Sequence, residues 1–186
     1  MDARKSSRTM PGLRALLRED LRTQREGLLS QGFWALAVYR IGHRRLSLRR
    51  GIRRKLLGVF SQLGRKWIEI TTGISLPEGV QVGRRLAIEH FGGIMINNAA
   101  VIGDDCRIRH GLTLGNREDQ YPHDAPTIGD RVQIGAQVSI LGKVTVGDDA
   151  IIGAHSLVLH DVPPGAIVAG VPARVLRLRD DLPPQV

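Results

Sequence analysis

Aliphatic residues recur every six positions through the second half of this 186-residue chain. One run reads Ile70, Leu76, Val82, Ile88 and Ile94. After an offset of two residues come Ile102, Ile108 and Leu114, and a third run holds Ile128, Ile134, Ile140, Val146, Ile152 and Val158. Four positions after most of these openers stands a second small or aliphatic residue, such as Val80, Leu86, Cys106, Leu112, Val132 or Val138, and glycine often takes the second position. A period of six fits neither the 3.6 of an α-helix nor the alternation of a lone strand. It fits short parallel strands joined by turns and stacked coil upon coil.

Composition agrees with that architecture. With 22 glycines and only 4% aromatic residues, the core must be aliphatic and its turns frequent. The register breaks once more between Leu114 and Ile128, across a polar stretch that must leave the coils as a loop and is a first choice for binding residues. Ahead of the repeats, from about Leu13 to Trp67, apolar residues fall at helical spacing. The expected organisation is a basic α-helical segment at 1–68, a solenoid at 69–175 with an extruded loop at 116–127, and a tail at 176–186.

The charge is uneven. Residues 1–66 hold 17 Lys and Arg against 4 Asp and Glu, a net +13, and the remainder holds 10 against 14, a net −4. No apolar run is long enough for a membrane span or a secretory signal, so the cytoplasm is the expected location. One cysteine, Cys106, excludes an internal disulfide, and no Cys/His cluster suggests structural zinc.

Three stretches go further: IEHFGGIMI (88–96), IRHGLTLGNRED (108–119) continued by APTIGDRVQIGAQVSILGKVTVG (125–147), and AGVPARV (169–175). Together with the hexapeptide form they resemble the left-handed β-helix acyltransferases, and within these the serine acetyltransferase group. The segment LREDLR…ALAVYRIGH (17–43) adds a similarity to the colanic-acid biosynthesis acetyltransferases. The resemblance implies a mainly β fold, a left-handed parallel β-helix behind a short N-terminal helical segment. It also implies acetyl-CoA as donor, a hydroxyl acceptor, and a homotrimer with its sites between subunits.

Acetyl transfer from a thioester to an alcohol needs a base that takes the hydroxyl proton near neutral pH, a task suited to imidazole. His90 stands where the serine enzymes carry their catalytic histidine. Counting in coils of three hexapeptides puts His110 one coil from His90 and Arg109 beside Glu89, so these residues are expected to share a cleft, with Glu89 and Arg109 able to pair. His123, in the loop, is a further candidate for acceptor or CoA contact. Small residues at Ala136 and Ala154 match positions along which the pantetheine arm lies, and Arg174 could meet the CoA phosphates. The spacing of the histidines argues against a metal.

Some positions depart from the serine enzymes. Ser75 stands where they carry an aspartate that orients the base, and Asp124 and Ala125 replace an Arg-His pair ahead of Pro126; an acidic residue cannot hold a substrate carboxylate. These departures point toward a sugar hydroxyl in exopolysaccharide synthesis, with serine O-acetylation in cysteine synthesis as the alternative and a non-catalytic β-helix scaffold as a reading of another class. The basic run Arg44 to Lys55 lacks the aromatics and motif of a nucleic-acid surface. As a basic helix with an apolar face it admits peripheral membrane contact, although packing on the solenoid end with the charged face outward is the simpler expectation.

Overall fold

The computed structural model describes residues 11–49 and 51–179. Three helices come first: α1 (Leu13–Thr23), α2 (Gln31–Leu46) after a 3₁₀ turn, and α3 (Ile52–Thr72). The sequence boundary at 68/69 therefore falls inside α3. Ile70, counted above as the first opener, belongs to that helix and is exposed, because one six-residue step to Leu76 looks the same from either side of the junction.

From Ile74 onward the chain winds through about five coils, each contributing a strand to up to three parallel sheets. Sheet A stacks β1 (Ile74–Ser75), β4 (Ile94–Ile96), β7 (Thr113–Gly115), β10 (Ser139–Leu141) and β13 (Leu157–Val158). Sheet B stacks β2 (Gln81–Val82), β5 (Val101–Ile102), β8 (Thr127–Ile128) and β11 (Thr145–Val146). Sheet C stacks β3 (Ala87–Glu89), β6 (Arg107–Arg109), β9 (Gln133–Ile134), β12 (Ile151–Ile152) and β14 (Ala166–Gly170). This is the parallel β-helix that the period requires. The strand β15 (Ala173–Leu178) turns back antiparallel on β14, so the expected tail from 176 begins with ordered strand; residues 180–186 lie outside the described residues.

Register identifies the core. Val82 stands over Ile102 and Ile128, and Ile88 over Ile108, so the openers form continuous buried columns. Leu86, Ile108, Leu112, Ile128 and Ile140 are fully enclosed, each stabilising the fold by about 1.5–3 kcal/mol relative to exposure. Cys106 belongs to this column as a packed small residue. The register also moves the first two-residue offset. Ile96, not Ile94, pairs with Leu114, so the extra residues sit at 90–93 rather than after Ile94.

The edge between sheets B and C is stitched from coil to coil by charge. The backbone N–H groups of Arg84, Asp104 and Asp130 each donate to the aspartate of the next coil, Asp104, Asp130 and Asp148, at 2.8 Å. Beside them Arg85 makes a two-pronged bond to Asp105, and Arg131 one to Asp149. A side chain on Gly103 would drive into the Gly129 carbonyl, so only glycine lets coils approach this closely.

Coil 1 has no coil beneath it, and its strand edges would be left unpaired. Side chains from the helices complete it. The Tyr39 hydroxyl donates to the Val80 carbonyl at 2.6 Å and accepts from Val82 N–H at 3.2 Å. The Gln24 amide bridges the Leu86 carbonyl and the Ile88 N–H. Arg40, buried and paired with the buried Asp20 at 3.0 Å, donates to the carbonyls of Val82 and Gly83. Burial pushes the Tyr39 hydroxyl up to about 12.

Candidate active site

His90 lies at the edge where sheet C hands over to sheet A. In the later coils this corner is short: Ile108, Arg109, His110, Gly111, Leu112 in coil 2, and Ile134, Gly135, Ala136, Gln137, Val138 in coil 3. Each uses one left-handed residue, at Gly111 and at Gln137. Coil 1 instead reads Ile88, Glu89, His90, Phe91, Gly92, Gly93, Ile94 and uses three, with φ of 61° at His90, 109° at Gly92 and 64° at Gly93. Gly92 and Gly93 accept such angles readily, whereas a histidine held there costs about 1–2 kcal/mol. Arg85, Asp105, Arg131, Gln137, Asp149 and His155 take the same angle in regular turns, so what sets this corner apart is its two extra residues.

The widened corner opens on a cleft of about 850 Å³ between coil 1 and the α1–α2 turn, lined by Gln24, Arg25, Glu89, His90, Arg107 and Arg109 among others. Glu89 lies directly opposite Arg109 in the strand register and binds it at 3.1 Å. Arg107 also reaches Glu89, at 3.3 Å. One carboxylate thus faces two guanidinium groups beside the base, and Arg25 adds a third cation to the wall.

His110 stands one coil above His90, its ring edge-on at 5.9 Å between centroids. Its Nδ1 is buried without a hydrogen-bond partner. No carboxylate hydrogen-bonds the His90 ring among the described residues, and Ser75 lies opposite Met95 in sheet A. His110, Ala136 and Ala154 stand in one column along the same edge, held by the bonds Gln137 N–H to His110 O and His155 N–H to Ala136 O, both 2.9 Å. Ala154 is exposed and Ala136 half-buried, so the column presents small side chains and accessible backbone.

Two expected participants lie elsewhere. The loop carrying His123 leaves between β7 in sheet A and β8 in sheet B, a different edge from that of His90. It is tied there by Asn97 Nδ2 donating to the Pro122 carbonyl at 3.1 Å. Within one chain His123, which is exposed, and Asp124 do not join the cleft. Arg174, on β15 opposite Ala169, is exposed and donates only to the neighbouring Ala173 carbonyl among the described residues. Sequence reasoning missed Arg107, Arg25 and Gln24. Arg107 could have been found by the same coil count that paired Glu89 with Arg109, since it stands two residues earlier on the same outward face.

A coil stack of this period with a histidine at an enlarged corner defines a hexapeptide-repeat transferase, and the profile described as bacterial transferase hexapeptide (six repeats) matches residues 125–160. More particularly, the chain belongs to the serine acetyltransferase family. The serine acetyltransferase of Helicobacter pylori (strain J99) is 38% identical over 149 residues, which are 80% of this chain and 83% of that one. The serine acetyltransferase of Mycobacterium tuberculosis is 41% identical over 111 residues, 60% of this chain and 48% of the relative, so the chain spans about half the length of that protein. Among solved structures, serine acetyltransferase from Vibrio cholerae superposes with a TM-score of 0.80 at 28% identity, covering 92% of this chain and 68% of that one. The Brucella abortus enzyme, solved in complex with coenzyme A, gives 0.77 at 27%, covering 89% and 68%.

Proposed function

We propose that this protein transfers the acetyl group of acetyl-CoA to a hydroxyl acceptor, and that the acceptor is L-serine. The observation that carries the reading is His90, placed where two extra residues widen the corner between sheets C and A and facing a cleft large enough for an acceptor. In the reaction His90 takes the hydroxyl proton as the oxygen attacks the thioester carbonyl. The tetrahedral intermediate then collapses, the C–S bond breaks, and the departing thiolate receives that proton. Ala136 and Ala154 supply the small-sided track for the donor's pantetheine arm, and Arg174 a cation for its phosphates. His110 does not line the cleft itself and acts by packing edge-on against the base.

The relatives' names turn the acceptor toward serine and away from the sugar hydroxyl of exopolysaccharide synthesis that the departures in sequence suggested. Arg107 and Arg109 support serine where Asp124 cannot, since guanidinium groups bind a carboxylate. They place two guanidinium groups beside the base, and Glu89 neutralises only one of them. His123 and Asp124 could reach His90 only from a neighbouring copy, which agrees with sites shared between the subunits of a homotrimer. Asp124 keeps a sugar acceptor as the second reading, since an aspartate accepts hydrogen bonds from sugar hydroxyls.

Thiol release from acetyl-CoA, with L-serine in one reaction and sugar acceptors in another, tests both. Turnover on serine that disappears in His90→Ala is expected, and Arg109→Gln should raise KM for serine roughly tenfold with little change in kcat. Turnover on sugars alone would return the acceptor to the second reading. No thiol release with any acceptor would overturn the transferase.

A further inference from the structure

α3 is built inside out. At 3.6 residues per turn, Ile52, Leu56, Phe60, Leu63, Trp67 and Ile70 fall within an arc of about 100°, and each is 63–80% exposed. The opposite face, turned to the protein, is small and polar. Gly58, Ser61 and Thr72 are its buried residues, and Ser61 Oγ donates to Glu78 Oε1 at 2.5 Å while Arg45 pairs with the same carboxylate. The run Arg44 to Lys55, expected as one basic helix with its apolar face on the solenoid, is divided between the end of α2 and the start of α3, and α3 turns its apolar face outward. Contiguous apolar surface of this extent marks a place that something covers.

We infer that α3 rests on an anionic lipid surface. The apolar stripe carries no charge of its own, but Arg53 borders it on one side and Lys55 and Lys66, the latter paired with Glu69 at 3.0 Å, on the other, where cationic side chains reach headgroups while the stripe enters the acyl boundary. Residues 1–66 carry a net +13, complementary to an anionic leaflet. A second copy laid on the same stripe would bring two such segments together within about one Debye length. Among the described residues no helix is long and apolar enough to cross a membrane, so α3 lies along the surface.

The test pellets the full chain with vesicles of phosphatidylcholine, with and without phosphatidylglycerol, at low and high salt, and measures its oligomeric mass by light scattering. Expected are binding to the anionic vesicles alone, release by salt, and partitioning weakened by about tenfold or more in Leu56→Gln/Leu63→Gln, whose substitutions touch solvent and leave the melting temperature unchanged. Lys55→Glu/Lys66→Glu should abolish the preference for phosphatidylglycerol. Absence of pelleting at low salt overturns the inference, as does unchanged pelleting of the leucine variant. A fall in oligomeric mass in the leucine variant, with no vesicle binding by the parent chain, assigns the stripe to a second copy instead.

Discussion

The two edges that flank sheet C have the same backbone and opposite chemistry. Where sheet B meets sheet C, the left-handed residues are Arg85, Asp105, Arg131 and Asp149, and each is repaid by a two-pronged ion pair to the coil above or below. Where sheet C meets sheet A, the corresponding residues Gly93, Gly111, Gln137 and His155 form no such ladder among the described residues, and coil 1 carries two extra residues as well. One edge uses its charges on itself and holds the stack in register. The other presents backbone, small side chains and imidazoles with no comparable ladder among the described residues.

Changes at the open edge should affect chemistry and spare the fold. His90→Gly removes the base and the strained conformation together, so activity should fall by about 10²–10⁴-fold while the melting temperature does not drop; a melting temperature several degrees lower would show that the corner is structural. Excising Phe91 and Gly92 turns IEHFGGI into IEHGI, the form of IRHGL in coil 2. The circular dichroism spectrum should survive and activity fall as far as in His90→Gly, and a collapsed spectrum would break the contrast between the edges.

Changes at the stitched edge should do the reverse. Asp130 is buried and its carboxylate accepts from the Asp104 N–H, so Asp130→Ala should cost about 1–3 kcal/mol, read as a lower denaturation midpoint with kcat unchanged. The smallest effect concerns acid. Hydrogen bonding from Arg85 holds the Asp105 carboxyl below its ordinary value against an opposing push from burial. A carboxyl depressed in the folded state contributes stability above its unfolded value, and that stability is lost as pH falls from about 4 downward. Because the pair is partly exposed, Asp105→Asn should remove no more than about 1 kcal/mol, and only from the neutral side of that acid limb.

Much of this contrast was legible in the sequence because stacking turns separation along the chain into adjacency. A coil count of twenty residues brings Glu89 to Arg109 and His90 to His110, and both pairs are found. The position of the insertion was not legible. Ile94 and Ile96 both point inward, so either could be counted as an opener, and only strand pairing decides between them. The helical cap on coil 1 was hidden for another reason. Tyr39, Arg40 and Gln24 bond to backbone atoms some forty to sixty residues away, and such bonds leave no periodic trace. The outward apolar face of α3 was not legible because an amphipathic pattern states that two faces differ, not which of them turns inward.

The coil stack also works as a length gauge. Neighbouring strands of a sheet lie about 4.8 Å apart, so four graduations, about 19 Å, separate the coil that carries His90 from the last one. On the proposed reading, a donor laid along the open edge would have its two ends measured off in whole coils. Inserting or deleting one complete coil would move the far mark by one graduation and keep every inward residue inward, whereas a change of a single residue would turn the scale over. Reach in this molecule is therefore adjustable only in discrete steps.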